Sequence, residues 1–494
     1  MDSHKDVEDG EACDQREAQN ISHHQEDSPR NQPDGPRPFP AVQVVASTEH
    51  RSRGGDTHSA SPEPHDHGPQ EKEYALDKPH ARSFYRGVQW TADGTAVVAS
   101  TSDHRISVHV LPEDLLAPKD QPFHLEPDSQ LRFSEPSYAF AVSPYFSLSE
   151  PLSQTVLVSC KDHPIQLHHL FPDPPASASS STSTSPYKLI RRETEAYISA
   201  ESLLWTWPGT HFLVGSVNRL DYFDITRTGS DGPALTIPTI PSKRHLSKGG
   251  GVGMKGMVSA LASQSPAVSD APLVAAGTWT RWLGLYDPAR SNKAVANWSI
   301  RGVVEAEFGH RDDDGGGVVQ TLWSPCGRYL AVNERQASGI LVYDVRGTGR
   351  PVNLLIGRDA STQQRLSCDV FAGSAATSDD GGFELWAGSK DGRVLVWEGV
   401  GARSGTLDES WDFRAHQSPV GGTMLHPGGS VVATCSGAWT TTSDDELVAQ
   451  AGTSNDVGMP KLASPRLTDD CNLKIWALGM DDDALDDAEK APEG

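Results

Sequence analysis

Short alternating apolar runs separated by turn residues recur along most of the chain. The stretch Ala387 to Glu398, AGSKDGRVLVWE, places a turn on Asp391-Gly392 before an alternating apolar run that closes on Trp397. Period-2 alternation bounded by Gly, Asp and Ser predicts half-buried β-strands. A longer copy, VQWTADGTAVVASTSDHRISVHVLP at residues 88–112, predicts three such strands joined by turns. A three-strand antiparallel unit is therefore the repeated element.

The same order of strands recurs in seven copies between residues 83 and 479. The third strands close on His109, His168, Phe223, Tyr286, Tyr343, Trp397 and Trp476. Each unit has one apolar face that is too small to be stable alone, and radial stacking buries all of these faces. The pattern predicts an all-β fold, a seven-bladed WD-repeat β-propeller, with a weaker fourth strand in each connection.

The regions outside the repeats differ in composition. Residues 1–82 are polar and poor in aromatic residues, so we expect them to be disordered. The segment at 40–47, PAVQVVAS, is strand-like, and the last repeat stops at its third strand. This segment is therefore a candidate closing strand for the propeller at 83–479. We expect an inserted loop at 441–467 and an acidic disordered tail at 480–494.

Charge and apolar content limit the partners that we expect. The chain carries a net charge of −24, of which residues 1–80 contribute −9 and residues 481–494 contribute −6. The remaining −9 is spread over the repeats, and because charges are screened beyond about 8 Å, a local basic patch can still bind RNA. The N-terminus lacks a secretion signal and no run of about 18 apolar residues occurs. We expect a soluble intracellular monomer without membrane or DNA partners.

Motifs that could carry catalysis or bind a metal have simpler structural interpretations. The six cysteines stand singly, without zinc-ligand spacing, and are expected to be buried free thiols. The Gly-rich GVGMKG at 251–256 follows a loop rather than a strand and is interpreted as an inter-blade loop. No enzyme activity, cofactor or metal is expected.

Aspartates recur six residues before the closing position of four repeats, at Asp103, Asp162, Asp391 and Asp470. Such an aspartate can accept hydrogen bonds from turn amides and hold the register of the hairpin. His416, with Asp470 and a nearby Ser436 or Thr434, has the residue types of a catalytic triad. We interpret His416, Asp470 and Trp476 instead as one structural network, and Trp397 with Asp391 as its counterpart in the preceding repeat.

Basic residues in the loops are the candidates for RNA contact. Lys243, Arg244, Lys248 and Lys255 fall in a window without acids, and Arg358 and Arg365 flank a polar segment containing Gln364. Arg281 stands in the bulky stretch TWTRWLGLY. Lys and Arg contact phosphates, and Arg also stacks on unpaired bases. Two alternatives stay open: ordinary surface Lys and Arg without a ligand, and a structural arginine that pairs with a buried acid such as Asp369 or Glu384.

Four stretches resemble the telomerase Cajal body protein family of WD-repeat propellers. They are FYRGVQWTADGTAVVAS, LVAAGTWTRWLGLYD, IGRDASTQQRLSCDVFA and GGTMLHPGGSVVATCSG, in that order, and the resemblance covers about residues 83–478. The segment from Arg358 to Arg365 is its most specific part. The resemblance implies a nuclear scaffold that binds small RNAs of the H/ACA class, including telomerase RNA, and directs them to Cajal bodies. Fungal relatives imply spliceosomal RNA instead.

The resulting functional expectation is a non-enzymatic scaffold that binds small nuclear RNA and supports the assembly or nuclear localisation of its ribonucleoprotein. Expected partners are small nuclear RNA and ribonucleoprotein proteins, with a chaperonin as a candidate for assistance in folding. Expected localisation is the nucleoplasm or Cajal-body-like structures, and a cytoplasmic pool is left open. The alternative is a protein-interaction propeller, a splicing or ubiquitin-ligase adaptor, that does not contact RNA.

Overall fold

The computed structural model describes residues 40–49, 83–172, 185–191, 193–229, 231–241, 253–309, 316–373, 382–440 and 466–479. Most of residues 1–82, most of the insertion at 441–467 and the tail at 480–494 lie outside these ranges, so the predicted disorder stays a prediction. Within the described ranges, no helix is long and apolar enough to cross a membrane.

Strands form nearly all of the regular structure. In chain order they are β1 Val42–Ser47, β2 Tyr85–Trp90, β3 Ala96–Thr101, β4 Arg105–Val110, β5 Phe123–His124, β6 Ser129–Arg132, β7 Ser137–Val142, β8 Thr155–Cys160, β9 Ile165–His169, β10 Ser185–Tyr187, β11 Ser202–Thr206, β12 His211–Ser216, β13 Arg219–Asp224, β14 Leu235–Pro238, β15 Val258–Ser263, β16 Val274–Thr278, β17 Trp282–Tyr286, β18 Ala294–Ser299, β19 Val318–Trp323, β20 Tyr329–Glu334, β21 Ile340–Asp344, β22 Asn353–Leu355, β23 Cys368–Phe371, β24 Phe383–Gly388, β25 Arg393–Val400, β26 Gly405–Leu407, β27 Trp411–Arg414, β28 Val420–Leu425, β29 Val431–Ser436, β30 Trp439–Thr440, β31 Arg466–Leu467 and β32 Leu473–Leu478. One α-helix, α1 (Arg301–Phe308), and a 3-10 turn at Pro151–Ser153 complete the described elements.

Seven antiparallel sheets form the blades, which confirms the predicted seven-bladed β-propeller. In order, blade 1 is β2-β3-β4-β6, blade 2 β7-β8-β9-β10, blade 3 β11-β12-β13-β14, blade 4 β15-β16-β17-β18, blade 5 β19-β20-β21-β22, blade 6 β23-β24-β25-β27 and blade 7 β28-β29-β32-β1. The upstream strand β1 pairs antiparallel with β32, from Val42 opposite Leu478 to Ser47 opposite Lys474. The outermost strand of blade 7 therefore comes from the N-terminal side of the chain and joins the two ends of the ring.

The hydrophobic core lies between neighbouring blades. Second strands such as β3, β8, β20 and β29 are buried along their whole length, because a blade packs against another blade on each of its faces. One core cluster, for example, combines Leu283 and Leu285 of blade 4 with Trp323, Leu330 and Leu341 of blade 5. This packing explains why the second strands are rich in apolar residues on both of their faces.

Three features were not predicted from the sequence. The helix α1 lies in the connection between blades 4 and 5 and buries Val304. The short strands β5 and β26 extend two sheets by parallel pairing with β1 and β22. Cys326 is exposed, contrary to the expectation of buried thiols, because it lies in the turn between β19 and β20, while Cys160, Cys368 and Cys435 are buried.

The antiparallel order of the strands gives the ring two faces with different loops. We define the N face as the side where the first strand of each blade begins, and the C face as the side where it ends. Because successive strands reverse direction, the N face carries the loops between blades and those between second and third strands. The C face carries the loops between first and second and between third and fourth strands.

Candidate functional site

The predicted network around His416 is present beneath the N face of blade 7. His416 Nδ1 lies 3.4 Å from Asp470 Oδ1, and its Nε2 lies 2.8 Å from Thr434 Oγ1. The Trp476 indole N–H donates to the same hydroxyl at 2.8 Å. The backbone N–H of His416 donates to the Gly392 carbonyl of the blade 6 turn at 2.9 Å. The network therefore joins two blades through one histidine.

Burial and hydrogen bonding determine the charge states of His416 and Asp470 in this network. Burial lowers the pKa of His416, so the imidazole is neutral at neutral pH. Burial by itself would raise the pKa of Asp470, but the hydrogen bonds from His416 and the Gln417 amide hold it well below its usual range. All of these side chains, including Ser436, are buried and bonded to one another. This arrangement cross-links the blade and presents no hydroxyl to a substrate.

The other predicted turn residues are placed less uniformly. Asp391 accepts from the Arg393 backbone N–H at 3.3 Å and pairs with its guanidinium at 2.7 Å. Trp397 is fully buried and donates to the Ile356 carbonyl. Asp103 accepts from the Thr101 hydroxyl at 2.6 Å and pairs with Arg105.

Asp162 does not take part in such a network. Its side chain is exposed, its φ is 54°, and no hydrogen bond to its carboxylate occurs among the described residues. Asp tolerates the left-handed conformation better than most residues. We therefore correct its predicted role: Asp162 shapes the backbone of its turn rather than bonding turn amides.

Two predicted RNA contacts, Arg358 and Arg281, are scaffold residues. Arg358 is only 3% exposed, and its guanidinium donates at 2.8 Å to the Gly388 carbonyl, the Asn333 amide oxygen and the Leu366 carbonyl. It joins blades 5 and 6 through neutral oxygens rather than through a buried acid. All three of its nitrogens donate within the fold and the side chain is buried, so the structure contradicts the predicted RNA contact at Arg358.

Arg281 is 2% exposed and pairs with the buried carboxylate of Glu334 at 2.6 Å. This ion pair connects the second-to-third loop of blade 4 to the end of the second strand of blade 5. Two buried opposite charges in contact are a structural pair, and removing one of them leaves the other without compensation. The prediction that Arg281 contacts RNA is therefore also wrong.

Two further predicted RNA contacts, Lys255 and Gln364, lie at the N face. Lys255 is exposed there, in the connection between blades 3 and 4. The Gln364 side-chain amide donates to the Gly437 carbonyl at 2.8 Å and so ties the loop before blade 6 to blade 7. Lys243, Arg244 and Lys248 lie outside the described residues.

Arg365 belongs to a charged cluster across the channel mouth that sequence reasoning missed in part. Its guanidinium lies 3.2 Å from the Glu201 carboxylate, although the two residues come from the loops before blades 6 and 3. Arg335 of blade 5 and Arg86 of blade 1 also act electrostatically on Glu201. Because these blades are spread around the central channel, their side chains can meet only over its opening on the N face. We call Arg86, Glu201, Arg335 and Arg365 the mouth cluster.

Three positive charges face one negative charge in the mouth cluster. Burial raises the pKa of Glu201, and the charges of Arg365, Arg335 and Arg86 oppose that rise. Burial lowers the pKa of Arg365, and the like charges of Arg335 and Arg86 lower it further against the effect of Glu201. The Arg335 Nε is buried without a hydrogen-bond partner among the described residues, and Arg365 keeps 32% of its side chain exposed. The cluster therefore carries a net positive charge and is partly open to solvent, which makes it a suitable environment for an anion.

Aromatic side chains flank the cluster on the same face. The exposed ring of Trp279 lies beside Arg335, whose Cζ is 6.0 Å from the ring centre. Trp439 is exposed on the opposite side of the mouth, edge-on to Phe84. The repeat alignment contains a signal for these residues, since large aromatics stand in second-to-third turns where small polar residues are usual.

Within the described residues, no group of three or more His, Cys, Asp or Glu side chains is arranged to hold a metal ion. The described side chains at the channel mouth offer guanidinium, ammonium and indole groups and the carboxylate of Glu201.

Comparison with known proteins identifies relatives along most of the chain. No protein-family model matches it. Human telomerase Cajal body protein 1 is 25% identical over 420 residues, which cover 83% of this chain and 67% of the human protein. Guanine nucleotide-binding protein negative regulator 1 of Schizosaccharomyces pombe is 26% identical over 64% of this chain and 70% of its own length. Protein SWT21 of Zygosaccharomyces rouxii is 27% identical over 65% of this chain and 68% of its own length.

These relatives confirm the resemblance predicted from the sequence: the chain is similar to telomerase Cajal body protein 1 over most of its length and to the two fungal proteins over about two thirds of it.

Proposed function

We propose that this protein is a non-enzymatic scaffold that binds small nuclear RNA at its N face and supports the assembly or nuclear localisation of the ribonucleoprotein. The observation that carries the proposal is the convergence of three arginines on one carboxylate at the channel mouth. The name of the mammalian relatives, telomerase Cajal body protein, supports a nuclear ribonucleoprotein as the context. H/ACA-type, telomerase and spliceosomal RNAs are the RNA classes that we propose.

The mouth cluster suits an RNA backbone for electrostatic and geometric reasons. Guanidinium groups bind phosphate through two parallel N–H donors, and their planar faces stack on unpaired bases. Arg335 and Arg365 can supply both contacts, while Trp279 offers a π surface beside them. Lys255 adds a positive charge at the edge of the same face. We infer that an unpaired RNA segment lies across the mouth, since a duplex would hide the bases from Trp279.

A protein-interaction role without RNA is the competing function. It is favoured by the S. pombe relative, whose name refers to a guanine nucleotide-binding protein and not to RNA. The two functions differ in their response to salt, because RNA binding releases one condensed counterion for about each phosphate neutralised. Steep weakening of binding between 50 and 200 mM salt, on the order of tenfold or more, is expected only for the RNA scaffold.

The test is a double substitution, Arg335→Ala with Arg365→Ala, in the tagged full-length protein. The matched control is Arg328→Ala with Arg346→Ala, because these arginines belong to the same region but lie on the C face, where both pair with Asp344. We expect the mouth variant to lose at least tenfold of the small RNA recovered with the protein, and the control to retain it. Both variants should keep the wild-type melting temperature within a few degrees.

Equal RNA recovery from both variants and the wild type would contradict RNA binding at the mouth. Loss of RNA from the control but not from the mouth variant would indicate that the RNA binds the C face. Recovery of proteins without RNA, at a level independent of salt, would favour the interaction scaffold.

A further inference from the structure

The C face of blades 2 and 3 exposes a group of large apolar side chains. Leu152 is 79% exposed and Trp207 is 58% exposed, and both stand in loops between first and second strands. Tyr145 and Leu148 are exposed in the same loop as Leu152. Single apolar side chains are normal on a surface, but a group of four in adjacent loops indicates a site of association.

Hydrogen bonds and packing hold these loops in one arrangement. The Leu148 backbone N–H donates to the Asp93 carboxylate of blade 1 at 2.7 Å, and the Gln154 side-chain amide donates to the Leu148 carbonyl at 2.7 Å. The Tyr145 ring covers Gly209 of blade 3 so closely that any side chain at that position would overlap it. We call the surface formed by Tyr145, Leu148, Leu152 and Trp207 the apolar platform. It is pre-formed, so a ligand need not order it on binding.

The surroundings of the platform are acidic. The described C-face loops and strand ends of blades 1 to 3 carry nine acids, Asp93, Glu113, Asp114, Asp120, Glu126, Asp128, Glu150, Asp224 and Asp231. The two bases in these loops, Lys119 and Arg227, are paired with Asp114 and Asp231 at 3.2 Å. This part of the C face therefore attracts a positively charged ligand and repels phosphate groups.

We propose that the apolar platform is a docking site for a basic amphipathic segment of a partner protein, in which one or two large apolar residues are flanked by Lys or Arg. The apolar residues would pack against Leu152 and Trp207, and the flanking charges would meet the acids around them. Nucleic acid and anionic membrane surfaces are disfavoured by the same acids. A second copy of this chain, with its net charge of −24, and its own acidic ends are poor matches as well.

The proposal is tested by selecting a phage-displayed random peptide library on the purified full-length protein. The platform variant is Leu152→Ser with Trp207→Ser. The matched control is Val295→Ser with Trp439→Ser, which removes a comparable exposed apolar surface elsewhere. Peptides enriched on the wild type and the control, and depleted on the platform variant, should combine Lys or Arg with one or two large apolar residues.

Affinity measurements on the most enriched peptide then separate the contribution of apolar packing from that of charge. By fluorescence anisotropy, the platform variant should bind this peptide at least tenfold more weakly than the control variant does. Replacing the Lys and Arg residues of the peptide by Gln should weaken its binding to the wild-type protein by a similar factor. Because the substituted side chains are exposed, the melting temperatures should match, and this is measured for each variant.

Four outcomes would overturn the proposal. These are no enrichment on the wild type, equal enrichment on the platform variant, acidic or purely polar peptides among the binders, and displacement of the peptide by a single-stranded RNA oligonucleotide. A concentration-dependent dimer of the wild type that the platform variant abolishes would assign the surface to a second copy of the chain, and so would also contradict the proposal.

Discussion

The two faces of the ring are built from the same seven antiparallel units and yet offer opposite chemistry. At the N face, Arg86, Arg335 and Arg365 converge on Glu201 over the channel mouth. At the C face of blades 1 to 3, exposed Leu152 and Trp207 stand among acids. A strand that begins on one face ends on the other, so each repeat supplies loops to both, and the residues of those loops decide the chemistry of each face.

This contrast shows why the net charge of −24 says little about partners. Arg365 and Glu201 are far apart in the sequence and meet only because blades 3 and 6 both border the central channel. A local excess of positive charge can therefore form in an acidic chain, since screening confines each charge to its neighbourhood. We expect the two faces to bind ligands of opposite charge independently of each other.

The largest expected effect is on stability, and it comes from Arg358, which lies in the buried layer beneath the surface of the N face. Arg358→Ala removes the guanidinium donor from the Gly388 carbonyl and the Asn333 amide oxygen, and one of two donors from the Leu366 carbonyl, which keeps its bond from the Asn333 amide. Each unsatisfied buried group costs about 1–3 kcal/mol, so the free energy of unfolding should fall by roughly 3–5 kcal/mol. Urea denaturation of the variant measures this loss.

Arg365→Ala is the matched comparison, because its side chain is partly exposed and pairs with one carboxylate. We expect its free energy of unfolding to change by about 1 kcal/mol or less. If Arg358→Ala proved as stable as wild type while RNA recovery fell, Arg358 would be a surface ligand, and the division of the N face into two layers would be wrong.

The fold could be predicted from the sequence because it depends on local patterns. Alternating apolar runs and turn residues repeat seven times, and the third strands close on large rings, such as Trp397 and Trp476, that the structure buries. The pairing of His416 with Asp470 was also predicted, since a histidine in the loop entering a blade can bond the turn aspartate of the same blade. The helix α1 was missed because a single eight-residue helix in a connection leaves no repeated signal.

The candidate site was predicted less well, because burial of a polar residue depends on tertiary packing. Arg358 and Arg281 were selected as RNA contacts because they are basic residues in loops, but neighbouring blades cover both. Arg335 and Arg86 were not selected, although both lie near strand ends on the N face, where the repeat alignment would have placed them. No sequence pattern indicates that Glu201 reaches across the mouth to Arg365.

A smaller expected effect concerns the channel wall between the two faces. Burial raises the pKa of Asp369 to about 7, and the hydrogen bond from the Leu425 amide opposes this only in part. The folded protein therefore holds this proton more tightly than the unfolded chain, whose carboxyl has its ordinary pKa. The stabilising contribution is complete at about pH 4 and is lost as the pH rises to about 7.

Asp369→Asn should remove this dependence, because an amide stays neutral and its oxygen can still accept from Leu425. The free energy of unfolding of the variant relative to wild type should rise by about 3–4 kcal/mol between pH 4 and pH 8, as measured by urea denaturation at each pH. A difference that is constant across this range would show that the carboxylate is charged throughout and that solvent reaches the channel wall.

The smallest expected effect is also the most direct comparison of the faces. Glu201→Gln removes the only negative charge of the mouth cluster and leaves three arginines facing the channel opening. Asp344→Asn is its counterpart on the C face, where the carboxylate pairs with Arg328 at 3.0 Å and Arg346 at 2.8 Å. If RNA lies across the mouth, Glu201→Gln should tighten binding of a single-stranded oligonucleotide about threefold to tenfold, because the removed repulsion is about 1 kcal/mol, whereas Asp344→Asn should leave it unchanged. Weaker binding by Glu201→Gln would mean that Glu201 orients Arg365 for its ligand, and tighter binding by Asp344→Asn alone would place the RNA on the C face.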